Sequence, residues 1–324
     1  MSVSGLIPSL LLPEVYGPWK AEPGFIVRQV KKAAEDGFYR SVELSPVADR
    51  EERSAIRRIC DENGIQVSCW LTQLIDDEKL DLTSADETLR QHSVEVIKHA
   101  LPAAIECGAQ TVAFIGGPDP GPSLRQRGYE SFYLSMTAIC AAADNLGAAV
   151  MFEPLDRFAH KKRLIGPTNE IIAAFSRVRA EYPTFGLAFD TAHAALNEED
   201  IAFALRLADG LVTNIHLSNA VLDKSDPLYG DHHMMPGLPG FLTLGRAASI
   251  AAEASNLPIA RSKGLRISVE ARASPDDDRQ ATAKLAATFL KEVLATAAPA
   301  MRDADRLSVG PDGLADRHGV SVRP

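Results

Sequence analysis

Cysteine is scarce in this chain: Cys60, Cys69, Cys107 and Cys140 are the only four in 324 residues, and no two form a C-x-x-C pair. That excludes a disulfide scaffold and predicts reduced thiols in a cytoplasmic protein. Positive charge is also short, with 34 Lys and Arg against 43 Asp and Glu and a net charge of −9. An acidic surface repels a phosphate backbone, which disfavours nucleic acid as a partner. Long apolar runs are missing. The N-terminal segment GLIPSLLLP is interrupted by Pro8 and has no basic residue before it. It is expected to be a first buried strand, not a signal peptide or a membrane span. No glycine-rich dinucleotide fingerprint follows it, which argues against an open doubly wound nucleotide-binding sheet.

What is present is regular. Hydrophobic residues make up 46% and charged residues 24%, enough apolar content for one large buried core. Eight short apolar runs recur along the chain: GLIPSLLL, SVELSP, QVSCWLTQ, QTVAFIGG, AAVMFEP, FGLAFDTAH, LVTNIHLSN and LRISVEA. Amphipathic stretches of helical period separate them, several ending on glycine (Gly37, Gly64, Gly108, Gly147 and Gly210) just before the next run. Strands joined by single helices predict parallel βαβ units, and eight such units predict closure into a (β/α)₈ TIM barrel over residues 1–298. The polar stretch 299–324 is expected to be a C-terminal arm or disordered tail.

Barrel strands are buried on both faces and should read as apolar. Four of these break the rule at their C-terminal ends, the end of a barrel that carries active sites. They place Glu153, Asp190, His216 and Glu270 on four consecutive strands. Three carboxylates converging on one mouth require a cation to offset their repulsion, and three carboxylates with one imidazole suit Mn²⁺ first, with Mg²⁺, Co²⁺ or Zn²⁺ as alternatives. His193, three residues past Asp190, is placed to join the site. The glycine- and proline-rich segment YGDHHMMPGLPGF is expected to be a loop over the mouth, with Asp231 and His233 spaced to bind substrate or a second metal. Glu43, Arg157 and Arg272 are further candidates for substrate contact, as is Lys161, and Tyr16, Trp19, Trp70 and Phe158 are candidates for an apolar wall.

The motifs FEPLDRF, FDTAH, NIHLSN and SVEA resemble those of the xylose isomerase-like superfamily of sugar isomerases, epimerases and apurinic endonucleases, over about Gly5 to Ala297. The resemblance implies one divalent metal on Glu153, Asp190, His216 and Glu270, with the two glutamates also moving a proton. It is imperfect in two places. In FEPLDRFA, Asp156 and Ala159 stand where the ketose 3-epimerase pattern has asparagine and glutamate. DHHMMPG is similar to an endonuclease pattern, but the ends of strands three and four lack the two histidines of a trinuclear zinc site.

The expected activity is therefore a metal-dependent isomerase or epimerase acting on a keto sugar through an enediolate, with Glu153, Glu270 and His193 as catalytic residues. The same enediolate could expel a leaving group. A lyase or dehydratase, such as a 3-keto-C-glycoside deglycosidase subunit, is the alternative, ahead of an apurinic endonuclease or a non-catalytic metal-binding subunit. The expected partners are a small sugar or glycoside and, given the alanine-rich helices, further subunits in a homo- or hetero-oligomer, with no nucleic acid and no membrane.

Overall fold

The computed structural model describes residues 5–308, with side chains to residue 298. Its strands are β1 (Leu6–Leu11), β2 (Ser41–Leu44), β3 (Gln66–Trp70), β4 (Thr111–Ile115), β5 (Ala149–Glu153), β6 (Gly186–Asp190), β7 (Val212–Val221), β8 (Gly230–Met234) and β9 (Leu265–Glu270). All but β8 run parallel, each beside the next, and β1 pairs with β9 to close the barrel. Each apolar run in the sequence forms one of these parallel strands.

Alternation along the strands creates two cores. Phe114, Phe152, Phe189, Ile215 and Val269 turn outward into the main core beneath the helices. Ala113, Met151 and Ala188 turn inward and form, with Leu11 and Trp70, a separate layer inside the barrel. The residue after each outward Phe152, Phe189, Ile215 and Val269 must therefore face inward at the rim, and those residues are Glu153, Asp190, His216 and Glu270. The outer core fixes this register. Phe132 stacks on Phe175 with ring centroids 5.3 Å apart and meets Phe152 edge-on at 5.0 Å. Each such buried ring contributes about 2–3 kcal/mol of burial free energy.

The principal helices are Phe25–Asp36, Arg50–Asn63, Glu87–Glu106, Arg125–Asp144, Thr168–Glu181, Ile201–Leu207, Leu244–Asn256 and Ala281–Ser308. Asp49, Asp86 and Asp200 cap three of them by accepting from backbone N–H groups of the first turn. Gly37 and Gly64 end two with φ of 68° and 63°, a left-handed conformation that glycine adopts without steric cost. The last helix crosses the expected boundary at 298, and residues 309–324 of the expected tail lie outside the described residues. No described helix is long and apolar enough to cross a membrane.

One element departs from the sequence reading. The segment around Asp231 is not all loop: Gly230–Met234 is strand β8, antiparallel to the part of β7 that runs past the barrel rim. A register shift between Asn219 and Ala220 bends this hairpin. Asn219, fully buried, ties down the loop that follows. Its Nδ2 donates to Met235 O at 3.0 Å and Gly237 O at 2.8 Å, and its Oδ1 accepts from Leu242 N at 2.9 Å.

Candidate metal centre

The ends of β5, β6, β7 and β9 bring Glu153, Asp190, His216 and Glu270 together, all four buried, with one ligand atom of each within 4.8 Å of the others. His216 is the hub. Its Nδ1 lies 3.0 Å from Glu153 Oε1 and 3.2 Å from Glu270 Oε2. Its Nε2 lies 3.0 Å from Glu43 Oε2. A proton on Nε2, donated to Glu43, leaves the Nδ1 lone pair facing the cluster. Asp190 uses Oδ1 to cap the helix Thr191–Leu196 through His193 N at 2.9 Å, while its Oδ2 is buried and has no hydrogen-bond partner.

The electrostatics are those of a site built around positive charge. Burial pushes the Asp190 carboxyl up to about 7; His193 opposes this, and the neighbouring Glu270 and Asp231 add to it. Burial alone would lower the His216 pKa, but the charges of Glu43, Glu153 and Glu270 hold it well above its usual value. Crowded carboxylates, an orphaned buried oxygen and one imidazole nitrogen aimed inward fit a divalent cation. The residues that would hold it are Glu153, Asp190, His216 and Glu270.

Glu43, expected to touch substrate, does not line the cavity. It is fully buried behind His216 and accepts from Trp70 Nε1 at 2.8 Å and Asn214 Nδ2 at 3.1 Å. Burial would raise its pKa, but His216 outweighs that and pulls it down to about 2. It holds the histidine from behind, with Nε2 3.0 Å from its Oε2. Arg157 is also placed elsewhere: its guanidinium turns away from the mouth to Glu170, Tyr129 Oη and Leu164 O. The loop backbone carries Lys161 and Arg163 to the cavity in its stead.

The remaining candidates form the wall. His193 lines the cavity with Nδ1 3.2 Å from Asp156 Oδ2. Asp156 thus buttresses His193 and does not face the cavity, and Ala159 packs in a small apolar cluster under the hairpin. Asp231, buried on β8, gathers Lys161 Nζ at 3.1 Å, His233 Nε2 at 3.0 Å and His193 Nε2 at 3.8 Å. His233 takes a φ of 51°, a strained value for a side chain of this type, and aims Nδ1 at Glu270 Oε1, 3.3 Å away.

Glu14, in the short helix Leu12–Val15 after β1, was not singled out in the sequence. Its Oε2 lies 2.8 Å from both His233 Nδ1 and Arg272 Nε. Glu14, His233 and Glu270 are spaced as a second ligand group. Arg272 Nη2, 2.8 Å from His233 Nδ1, already supplies that group with a cation. Of the aromatic candidates only Trp70 lines the cavity, its ring centroid 4.9 Å from that of His216. Tyr16 and Trp19 are core residues, and Phe158 is exposed beside Arg125 and Arg157. The cavity has a volume of about 620 Å³, room for a small organic ligand.

Comparison with curated proteins gives no match. Among solved structures the chain is similar to an L-ribulose 3-epimerase, at 17% identity over 95% of this chain and 100% of that one, with a TM-score of 0.69. It is similar to the IolI protein with a bound zinc atom at 14% identity, over 90% of this chain and 98% of that one, with a TM-score of 0.66. The 3-keto-D-glucoside 4-epimerase of E. coli shares 16% identity over 88% and 99% of the two chains, with a TM-score of 0.61. At these identities the likeness carries the fold. A family model described as xylose isomerase-like TIM barrel matches residues 30–293, most of the chain. With that match over the strands that assemble the carboxylate–histidine cluster, this chain belongs to the xylose isomerase-like TIM-barrel family.

Proposed function

We propose that this protein is a divalent-metal-dependent isomerase or epimerase of a keto sugar, with Mn²⁺ as its first-choice metal. The observation that carries this reading is the pair Glu153 and Glu270. Two carboxylates reach the same histidine nitrogen from β5 and β9, with β6 and β7 between them, at the edge of a cavity of sugar size. A bound divalent ion would polarise the substrate carbonyl and favour the enediolate. One carboxylate removes the proton next to that carbonyl, and the other returns it to a different face or carbon. His193, Lys161 and Arg272 line the cavity, where a polyhydroxylated substrate would offer oxygens to their donors. Asp156, Asp231 and Glu14 hold those donors in place from behind or beside. The four cysteines, all buried and unpaired, are in keeping with a cytoplasmic enzyme.

Incubation with keto sugars in heavy water with added Mn²⁺ tests the reading. Solvent deuterium should enter the carbon beside the carbonyl of recovered sugar, and both chelation and Glu270→Gln should suppress the exchange by about 10²–10⁴-fold. Release of an aglycone or a dehydrated product would move the assignment to a lyase. Full exchange surviving both treatments would sink it.

A further inference from the structure

The cations of the cavity differ in one respect. Lys161 has Asp231 at 3.1 Å, Arg163 has Asp76 at 2.8 Å and Arg272 has Glu14 at 2.8 Å. Lys20, which follows the short helix Gly17–Trp19, also lines the cavity but forms no ion pair among the described residues; its ammonium donates to the amide oxygen of Gln73. It is half-buried, and Arg272 lines the same cavity. Burial lowers its pKa; the charge of Glu14 offsets part of this, Arg272 adds to the lowering and Asp77 opposes it. Beside Gln73, Thr72 also lines the cavity, with a hydroxyl that is buried and has no hydrogen-bond partner. Glu14 engages Nε and Nη2 of Arg272 and leaves Nη1 for another acceptor.

A partly desolvated ammonium without an ion pair, sharing a cavity with a guanidinium whose Nη1 is not engaged by Glu14, is an arrangement that an anion would complete. Lys20 lies beyond β1 and Thr72 and Gln73 beyond β3, strands that carry none of the cluster residues, whereas Arg272 follows β9 two residues past Glu270. From this juxtaposition we infer that the substrate carries an anionic end group, a carboxylate or a phosphate, which Lys20 and Arg272 hold at the rim while the keto end lies at the carboxylate cluster. The inference rests on the keto-sugar reading and names the substrate class within it. Lys20 is then a specificity residue, remote from the proton transfer.

Unreactive probes separate the two claims. Isothermal titration of the Mn²⁺-loaded protein would compare xylitol, xylonate and xylitol 5-phosphate. At least one anionic probe should bind about tenfold or more tightly than xylitol, the size of one charge-assisted hydrogen bond, and the better of the two identifies the end group. Lys20→Met should erase the advantage and leave xylitol affinity unchanged, while Lys20→Arg should keep it. A merely structural lysine would weaken all three probes alike. Equal affinities in the wild type, or an equal loss for charged and neutral probes in Lys20→Met, overturns the anionic subsite while the keto-sugar reading stands. Failure of all three probes to bind overturns both.

Discussion

Glu43 illustrates how a residue's neighbours decide its role. It ends an apolar strand at the barrel rim, a position suited to substrate contact, yet its carboxylate is spent on Trp70, Asn214 and His216. Glu43→Gln should therefore weaken metal affinity by about 10–100-fold, as loss of a carboxylate behind a metal-ligating histidine does, with the fold unchanged. Competition titration against a chelating dye, paired with circular dichroism, measures this. Unaltered affinity would mean that Glu43 does not orient His216. The four residues of the buried cluster were legible in the sequence because each is an ionisable residue where a buried strand should be apolar. Glu14 was not, because nothing in a proline-flanked segment marks one glutamate as inward-facing; its role depends on Arg272 and His233, each more than two hundred residues away. Arg157 and Lys161 could not be ranked for the same reason: both lie in one loop, and tertiary packing decides which of them reaches the cavity.

At the scale of elements, the eight parallel strands and their helices were legible because apolar runs and helical periods alternate along the whole chain. The hairpin strand β8 was not. Its sequence GDHHM has glycine, charge and no alternation of apolar residues, and it is a strand because β7 extends beyond the rim and offers it an edge. The loop behind it is held through Asn219. A Cβ added at Gly240 would lie 2.2 Å from Asn219 Oδ1, so Gly240→Ala must displace that side chain and its three hydrogen bonds. We expect a loss of about 1–3 kcal/mol in chemical denaturation, together with faster amide exchange across residues 230–242. Unchanged exchange there would show that Asn219 does not anchor the loop.

For the whole molecule, the cluster at the mouth crowds buried carboxylates in a way that a cation would relieve. Asp190 and its carboxylate neighbours are buried together, and burial raises the Asp190 pKa. A bound ion at a hundredfold its dissociation constant would add about 2.7 kcal/mol to stability. Chelation should then lower Tm by several degrees, at about 2–4 °C per kcal/mol for a domain of this order of size, and Mn²⁺ should restore it. Scanning calorimetry on stripped and refilled protein checks this, and an identical Tm in both states would rule out a structural contribution from the ion.

The origin of the four clustered residues in four strands has a consequence for how such a protein can change over evolutionary time. Glu153, Asp190, His216 and Glu270 are each fixed by the ladder of the barrel and by aromatic or aliphatic neighbours on the outer face. Lys20 and Lys161 are fixed by segments between the strands, and His233 by the hairpin strand β8 outside the barrel. Under the proposed function, the chemistry is written in the permanent frame and the choice of molecule in its exchangeable margins, so descent with loop replacement would reassign the substrate without reinventing the reaction.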